Sequence, residues 1–142
     1  DEFTIDGIHI EILGVQNPEI KPNACNNSCL VWRMEDAKKS VLFLGDLGHE
    51  GGQKILAGPY RDRLPSDYVQ MAHHGQAGVS EEFYKVVDPT HCLWPTPVWL
   101  WDVDNGKGKG SGPWLTLEVR AWMEKLGVTS HFVMKDGLAR IE

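Results

Sequence analysis

Asp46, His73 and His74 are the residues of this chain whose types and spacing suit metal chemistry. Carboxylate oxygen and imidazole nitrogen are ligands for zinc and related divalent cations. Asp46 ends the run Val41-Leu-Phe-Leu-Gly-Asp46, and the two histidines follow Tyr68-Val-Gln-Met-Ala72 and precede Gly75. Neighbouring residues of an extended backbone point to opposite sides, so one histidine can bind metal while the other faces a substrate. The plainer reading makes Gly-Asp ordinary loop chemistry and His-His the cap of a strand. Spacing alone leaves both open.

The flanking elements decide whether these groups can meet. Val41 to Leu44 is continuously apolar, the pattern of a strand buried on both faces. Tyr68 to Ala72 is a second such run, and about Gly48 to Gly58 leaves room for one helix. Strand, helix, strand is the βαβ unit with parallel strands. It places Asp46 beside His73 and His74 at the carboxyl ends of adjacent strands, where open α/β sheets hold their ligands.

The rest of the chain supplies more strands and helices. Phe3 to Ile12 alternates apolar and polar residues around Asp6-Gly7, the signature of a hairpin with a two-residue turn; His9 and Glu11 share one face and read as strand residues. Ser28 to Met34 reads as a strand that pairs with Val41 to Leu44 across the polar turn Glu35 to Lys39. Asn27, before that strand, reads as a turn former or as a substrate contact, and His49 as an exposed residue near a helix start or as a substrate contact. Ser80 is a good N-cap with acid in the first turn after it, and Phe83, Val86 and Val87 give that helix its buried stripe. Thr90 to Trp94 is a further strand. The segment Thr96 to Pro113 is long for a loop. It carries Trp99 and Trp101, candidates for substrate contact, and a glycine–lysine run that lacks the phosphate-loop spacing; a mobile linker is the alternative. A helix from Pro113 with a stripe of Leu115, Val119, Trp122 and Leu126 follows, then a hairpin around Lys135-Asp136-Gly137.

With 142 residues, 42% hydrophobic and 24% charged, the chain reads as one globular domain. A formal net charge of −6 weighs against a surface built for nucleic acid. No run approaches the roughly 20 apolar residues of a membrane span. No targeting signal is visible, and three cysteines, which cannot all pair internally, read as free thiols that favour a reducing, cytoplasmic setting.

Leu44-Gly45-Asp46-Leu47, then Ala72-His73-His74-Gly75, then Ser80 opening a helix with Phe83, resembles the C-terminal half of the metallo-β-lactamase fold. The pattern is nearest the branch of ComEC-type DNA-uptake domains and phosphorylcholine esterases, and Asn26-Asn27-Ser28 before a strand is also similar to that branch. The hallmark His-x-His-x-Asp-His loop of the fold's N-terminal half has no counterpart here; His9 and His49 stand alone.

The resemblance implies an α/β fold: half of an αββα sandwich, a mixed sheet with about three helices over residues 1–142. It implies a hydrolase of the superfamily that cleaves an ester, above all a phosphoester, by metal-activated water, with two divalent metals in the complete fold, zinc by default and manganese compatible. Asp46 would bridge the metals. His74 is assigned as a ligand and His73 as the catalytic group facing substrate, although the two roles can be exchanged. Alone, the chain is expected to hold one metal or none and to be inactive. Its uncovered sheet face is expected to meet the missing half or a second copy. The alternative is a degenerate module that binds or assembles without catalysis. A small-molecule or phosphoester substrate is preferred to nucleic acid.

Overall fold

The computed structural model of the chain describes residues 1–141. Seven strands form one sheet: β1 (Glu2–Ile5), β2 (Ile8–Gly14), β3 (Val31–Glu35), β4 (Ser40–Phe43), β5 (Tyr68–Gln70), β6 (His91–Trp94) and β7 (Ser130–Val133). They lie side by side in chain order. Pairs from β1 to β4 are antiparallel, and pairs from β4 to β7 are parallel. Helices α1 (His49–Ala57), α2 (Glu81–Val87), α3 (Val98–Trp101) and α4 (Thr116–Lys125) fall in the connections of the parallel half, as parallel crossovers demand. The expected architecture, an α/β mixed sheet, is the one found, with the four-residue α3 added to the three helices expected.

The first hairpin closes with Asp6 at φ 51° and Gly7 at φ 81°, the pair of left-handed residues that matches strand twist. Ser80 caps α2 by accepting from Phe83 N at 3.3 Å. The βαβ unit is present, with Val41 opposite Tyr68 and Leu42 opposite Val69.

Three expectations needed correction. The hairpin around Lys135-Asp136-Gly137 does not form: β7 pairs in parallel with β6, a short 3-10 turn covers Met134–Asp136, and residues 138–141 form no strand. A buried strand partner outweighed local turn chemistry. The last helix begins at Thr116 rather than Pro113, so Leu115 precedes it and is exposed; its buried residues are Thr116, Val119 and Met123, with Trp122 and Leu126 half-buried. Ser28 belongs to a 3-10 turn, Asn26–Ser28, and the strand starts at Val31.

One face of the sheet carries Leu13, Val31, Leu42, Leu44, Val69, Cys92 and Trp94, packed against Ile55, Phe83, Val87, Val119 and Met123 of the helices in one cluster. Burying each such side chain contributes about 1.5–3 kcal/mol. The other face is open. There Trp32 stacks on Phe43 at 4.2 Å and Tyr68 on His91 at 4.3 Å, and Met34, Val41, Leu93 and Phe132 are only half-buried. Cys25 is exposed, Cys29 half-buried and Cys92 buried, and all three are free; burial pushes the Cys92 thiol up to about 12.

Asp67 ties the starts of β4 and β5 together. Its carboxylate accepts from Ser40 N at 2.7 Å and from Ser40 Oγ at 2.8 Å. The Ser40 hydroxyl, aided by the backbone N–H, holds this carboxyl below its ordinary range. A depressed carboxyl stabilises the fold above its unfolded pKa of about 4, and that contribution disappears as pH falls through the folded value. Ser40→Ala is therefore expected to lower the Tm at pH 7, by a difference that narrows as pH falls below about 4. A difference that stays constant down to pH 2 in thermal melts would contradict this role.

Candidate functional site

Asp46 and the two histidines meet at the carboxyl ends of β4 and β5. Asp46 Oδ1 lies 3.5 Å from His74 Nε2, with both side chains roughly half exposed. His74 Nδ1–H donates to Pro95 O at 3.0 Å, just past the end of β6. That bond directs the Nε2 lone pair toward Asp46, the backing that metal-bound histidines commonly have. Two ligands bound to one tetrahedral zinc at about 2.0–2.1 Å lie about 3.4 Å apart. The pair in hand therefore fits one divalent ion between its two atoms.

His73 is set differently. Its Nδ1–H donates to Ala77 O at 3.2 Å, and its Nε2 accepts from Asn26 Nδ2 at 3.3 Å. The two rings are 6.3 Å apart, tilted by 49°. Both histidines adopt left-handed backbone, φ 49° for His73 and φ 60° for His74. Such a pair is unusual in non-glycine residues and persists only where surroundings over-determine it. The reason given above for opposite side-chain directions does not apply here, because the strand ends at Gln70 and the histidines stand in a tight turn.

Several contacts hold that turn. His73 N donates to Gly45 O at 2.9 Å. Gln70 makes four bonds: its Oε1 accepts from Leu44 N at 3.1 Å and Gly45 N at 2.7 Å, and its Nε2 donates to Gly45 O at 3.3 Å and Met71 O at 2.6 Å. The ends of β4 and β5 are thereby locked together by one amide. Thr96 Oγ1 donates to His74 O at 2.6 Å. Tyr84 reaches up from α2, and its buried hydroxyl accepts from Ala72 N at 3.1 Å. Desolvation raises the pKa of that hydroxyl, so it stays neutral. Tyr84→Phe would leave the Ala72 N–H buried and unpaired. We expect it to cost about 1–3 kcal/mol, read as a lower midpoint in urea unfolding; an unchanged midpoint would exclude the hydroxyl as a support.

The remaining candidates are distributed around this centre. Asn27 is fully buried beneath α1. Its Oδ1 accepts from Gly51 N at 2.8 Å, and its Nδ2 donates to Pro22 O and to Glu50 Oε2, each at 2.9 Å. It caps α1 from a distance, where Gly48 supplies no side chain; a Cβ on Gly48 would lie 2.5 Å from Asn27 Oδ1. The Asn27 amide lowers the pKa of Glu50. The side-chain polar atoms of Asn27 are thus engaged within the fold. His49 is exposed at the first position of α1. Trp99 shares a groove with His74, whereas Trp101 packs edge-on against Trp94 at 5.3 Å with Arg120 over its ring at 4.0 Å.

A second set of potential ligands was not singled out from the sequence. Atoms of Glu2, His9 and Glu11 lie within 4.8 Å of one another on β1 and β2. The two-residue turn puts Glu2 opposite Glu11, and that register was the signal available. Glu11, however, is buried and paired with both Arg33 and Arg63. Its charge is already balanced, so the arrangement reads as an ion-pair network.

The architecture is that of the metallo-β-lactamase fold, of which this chain spans about half. It superposes on the metallo-β-lactamase fold protein YhfI from Bacillus subtilis with a TM-score of 0.52 and 11% sequence identity, over 97% of this chain and 51% of that one. In sequence it is similar to ComE operon protein 3 of Bacillus subtilis (strain 168), with 31% identity over 94 residues, which is 66% of this chain and 12% of that protein. No family model matches the chain. Among the described residues no helix is long and apolar enough to cross a membrane.

Proposed function

We propose that this chain supplies part of the metal site of a metal-dependent hydrolase, with Asp46 and His74 as ligands and His73 as the group that faces substrate. The observation that carries this reading is the 3.5 Å separation of Asp46 Oδ1 and His74 Nε2, with His74 fixed from behind by Pro95 O. A divalent metal there, zinc by default and manganese by compatibility, would supply Lewis acidity and an activated water near neutral pH. An ester is the substrate class, with phosphoesters preferred to nucleic acid in view of the acidic charge of −6. His73, its Nδ1–H held by Ala77 O, presents Nε2 toward the site for proton transfer or charge stabilisation once the Asn26 amide is displaced. Two ligands do not close a zinc site. The remaining ligands come, in this reading, from segments of a longer protein outside these 142 residues, and this chain alone is inactive.

The open sheet face supports the same view. Apolar side chains on this face, Trp32, Phe43 and Leu93 among them, are only half-buried and favour a cover, either another segment of the longer protein or a second copy of the chain. Monodisperse monomers that bind no hydrophobic dye would argue against a cover. The same face favours one alternative: a module that keeps the fold for binding or assembly without catalysis.

Manganese titration followed by NMR tests the metal reading on the chain as it stands. Paramagnetic broadening should appear first at Asp46, His74 and Gly75. Broadening that appears first at Glu2, His9 and Glu11 would sink the assignment; none at all would mean that this chain holds no metal by itself, and metal loss in Asp46→Ala of the longer protein then becomes the test.

A further inference from the structure

We propose that the groove beside His74 receives an uncharged planar group of the substrate, stacked against Trp99. The inference rests on the metal-site reading only for where the reacting bond lies; the groove itself exists without metal. Its volume is about 290 Å³, and its walls include His74, Gln76, Pro95, Pro97, Trp99 and Met134. At about 30 Å³ per water it displaces roughly ten waters, room for a group of one or two rings. Among the described residues no titratable side chain but His74 lines it, so an anion placed there would lose hydration without a partner, and a cation would meet only the indole face of Trp99.

Trp99 is 49% exposed, yet it is firmly supported. The edge of Trp114 meets it at 4.8 Å and 62°. Trp99 O accepts from Asp104 N at 2.7 Å. The segment that follows, for which the sequence left substrate contact and a mobile linker open, is tied down at several points. Asp104 Oδ1 accepts from Gly106 N at 2.8 Å and Gly108 N at 2.9 Å, Gly110 N donates to Asp102 O at 2.9 Å, and Gly112 N donates to Val103 O at 2.7 Å. A Cβ on Gly112 would lie 2.4 Å from the Trp114 ring, so that indole lies against bare backbone. The glycine-rich segment thus acts as a buttress for an indole left half in water. A flat aromatic surface fixed before binding loses little freedom when a planar group stacks on it. Because His74 forms one wall and its Nε2 lies 3.5 Å from Asp46 Oδ1, a ring in the groove would lie beside a candidate metal ligand.

The test uses the 142-residue chain, 1-naphthol as the planar uncharged probe, and cyclohexanol and tetramethylammonium as comparisons. The indole N–H resonances and the Met134 methyl are followed by NMR. We expect 1-naphthol to shift Trp99 and Met134 and to bind at least roughly fivefold tighter than either comparison. Trp99→Ala should weaken it by a similar factor, Trp99→Phe should largely retain it, and Asp46→Ala should leave it unchanged. Shifts confined to Trp32 on the open sheet face, equal binding to Trp99→Ala, or tighter binding of tetramethylammonium would each overturn the proposal. Metal binding and ring binding are read separately, so loss of one does not mask the other: naphthol at Trp99 with manganese at Glu2, His9 and Glu11 instead of Asp46 would leave the groove standing and remove the metal site.

Discussion

Alanine at Asp46 or at His74 is expected to weaken zinc binding by roughly tenfold to a hundredfold or more, whereas alanine at His73 should change it only a few-fold. The contrast follows from the hydrogen bonds. His74 has its Nδ1–H committed to Pro95 O, and its Nε2 faces the Asp46 carboxylate at 3.5 Å. His73 has its Nε2 in contact with the Asn26 amide, so a ligand role would first require that bond to break. Zinc content after dialysis and competition titration against a chelator give the three affinities. In the longer protein that completes the site, His73→Ala should instead lower kcat while zinc content stays near that of the parent. A larger loss of zinc in His73→Ala than in His74→Ala would exchange the two assignments. Full retention of zinc in Asp46→Ala would remove the carboxylate from the site.

Gly75→Ala is expected to be the most damaging small substitution near the site. Gly75 sits at φ +77°, and an added Cβ would lie 2.4 Å from Trp94 Cε3 and 2.6 Å from Cζ3. Trp94 has no room to yield. It is 2% exposed, packs edge-on against Trp101, and donates from Nε1 to His131 Nδ1 at 3.1 Å. Left-handed strain and overpacking together amount to about 2–6 kcal/mol, or a fall in Tm of roughly 5–20 °C for a chain of this size. Gly110→Ala isolates the first contribution, because Gly110 has φ +79° and open space around its Cβ position; it should cost about 1 kcal/mol. Equal losses at the two positions would mean that the Trp94 ring gives way, and that the His-His turn is not clamped from that side. Because His74 precedes Gly75 directly, the destabilised variant should also bind zinc less tightly.

The parts of this fold that were legible in the sequence are those in which local and global preferences agree. Val41 to Leu44 and Tyr68 onward read as adjacent parallel strands, as found, although only one face is covered, with Leu42, Leu44 and Val69 buried and Val41 and Phe43 half-buried; Asp6-Gly7 reads as a hairpin because the turn demands two left-handed residues. The convergence of Asp46 and His74 followed from that topology. Long-range demands were not legible. Gly51 and Gly52 look like helix breakers, yet both lie in α1: a Cβ on Gly51 would meet Leu47 at 2.8 Å, and one on Gly52 would meet Val79 at 2.9 Å. Asn27 reads as a turn former, but its side chain caps a helix 24 residues away. Gln70 is an unremarked polar residue at the end of an apolar run, and only the paired strand ends show why an amide with two donors and two lone pairs belongs there. At Lys135-Asp136-Gly137 the local signal was strong and the outcome different, because β7 finds its partner in β6 rather than in the residues that follow it.

The order of the strands also has a consequence for synthesis. Since β1 to β7 are neighbours in chain order, the sheet can grow outward from one edge as the polypeptide leaves the ribosome, each new strand adding to a neighbour already made. Each strand waits only for the next along the chain, but the crossovers of the parallel half close long loops and are the slow steps of this route. Asp46 and His74 come together when β5 docks on β4, but His74 is oriented only after β6 has delivered Pro95 O. The groove is finished later still, when Met134 arrives beyond β7. A nascent chain would therefore build its candidate metal ligands first, orient them second, and complete the adjoining groove last.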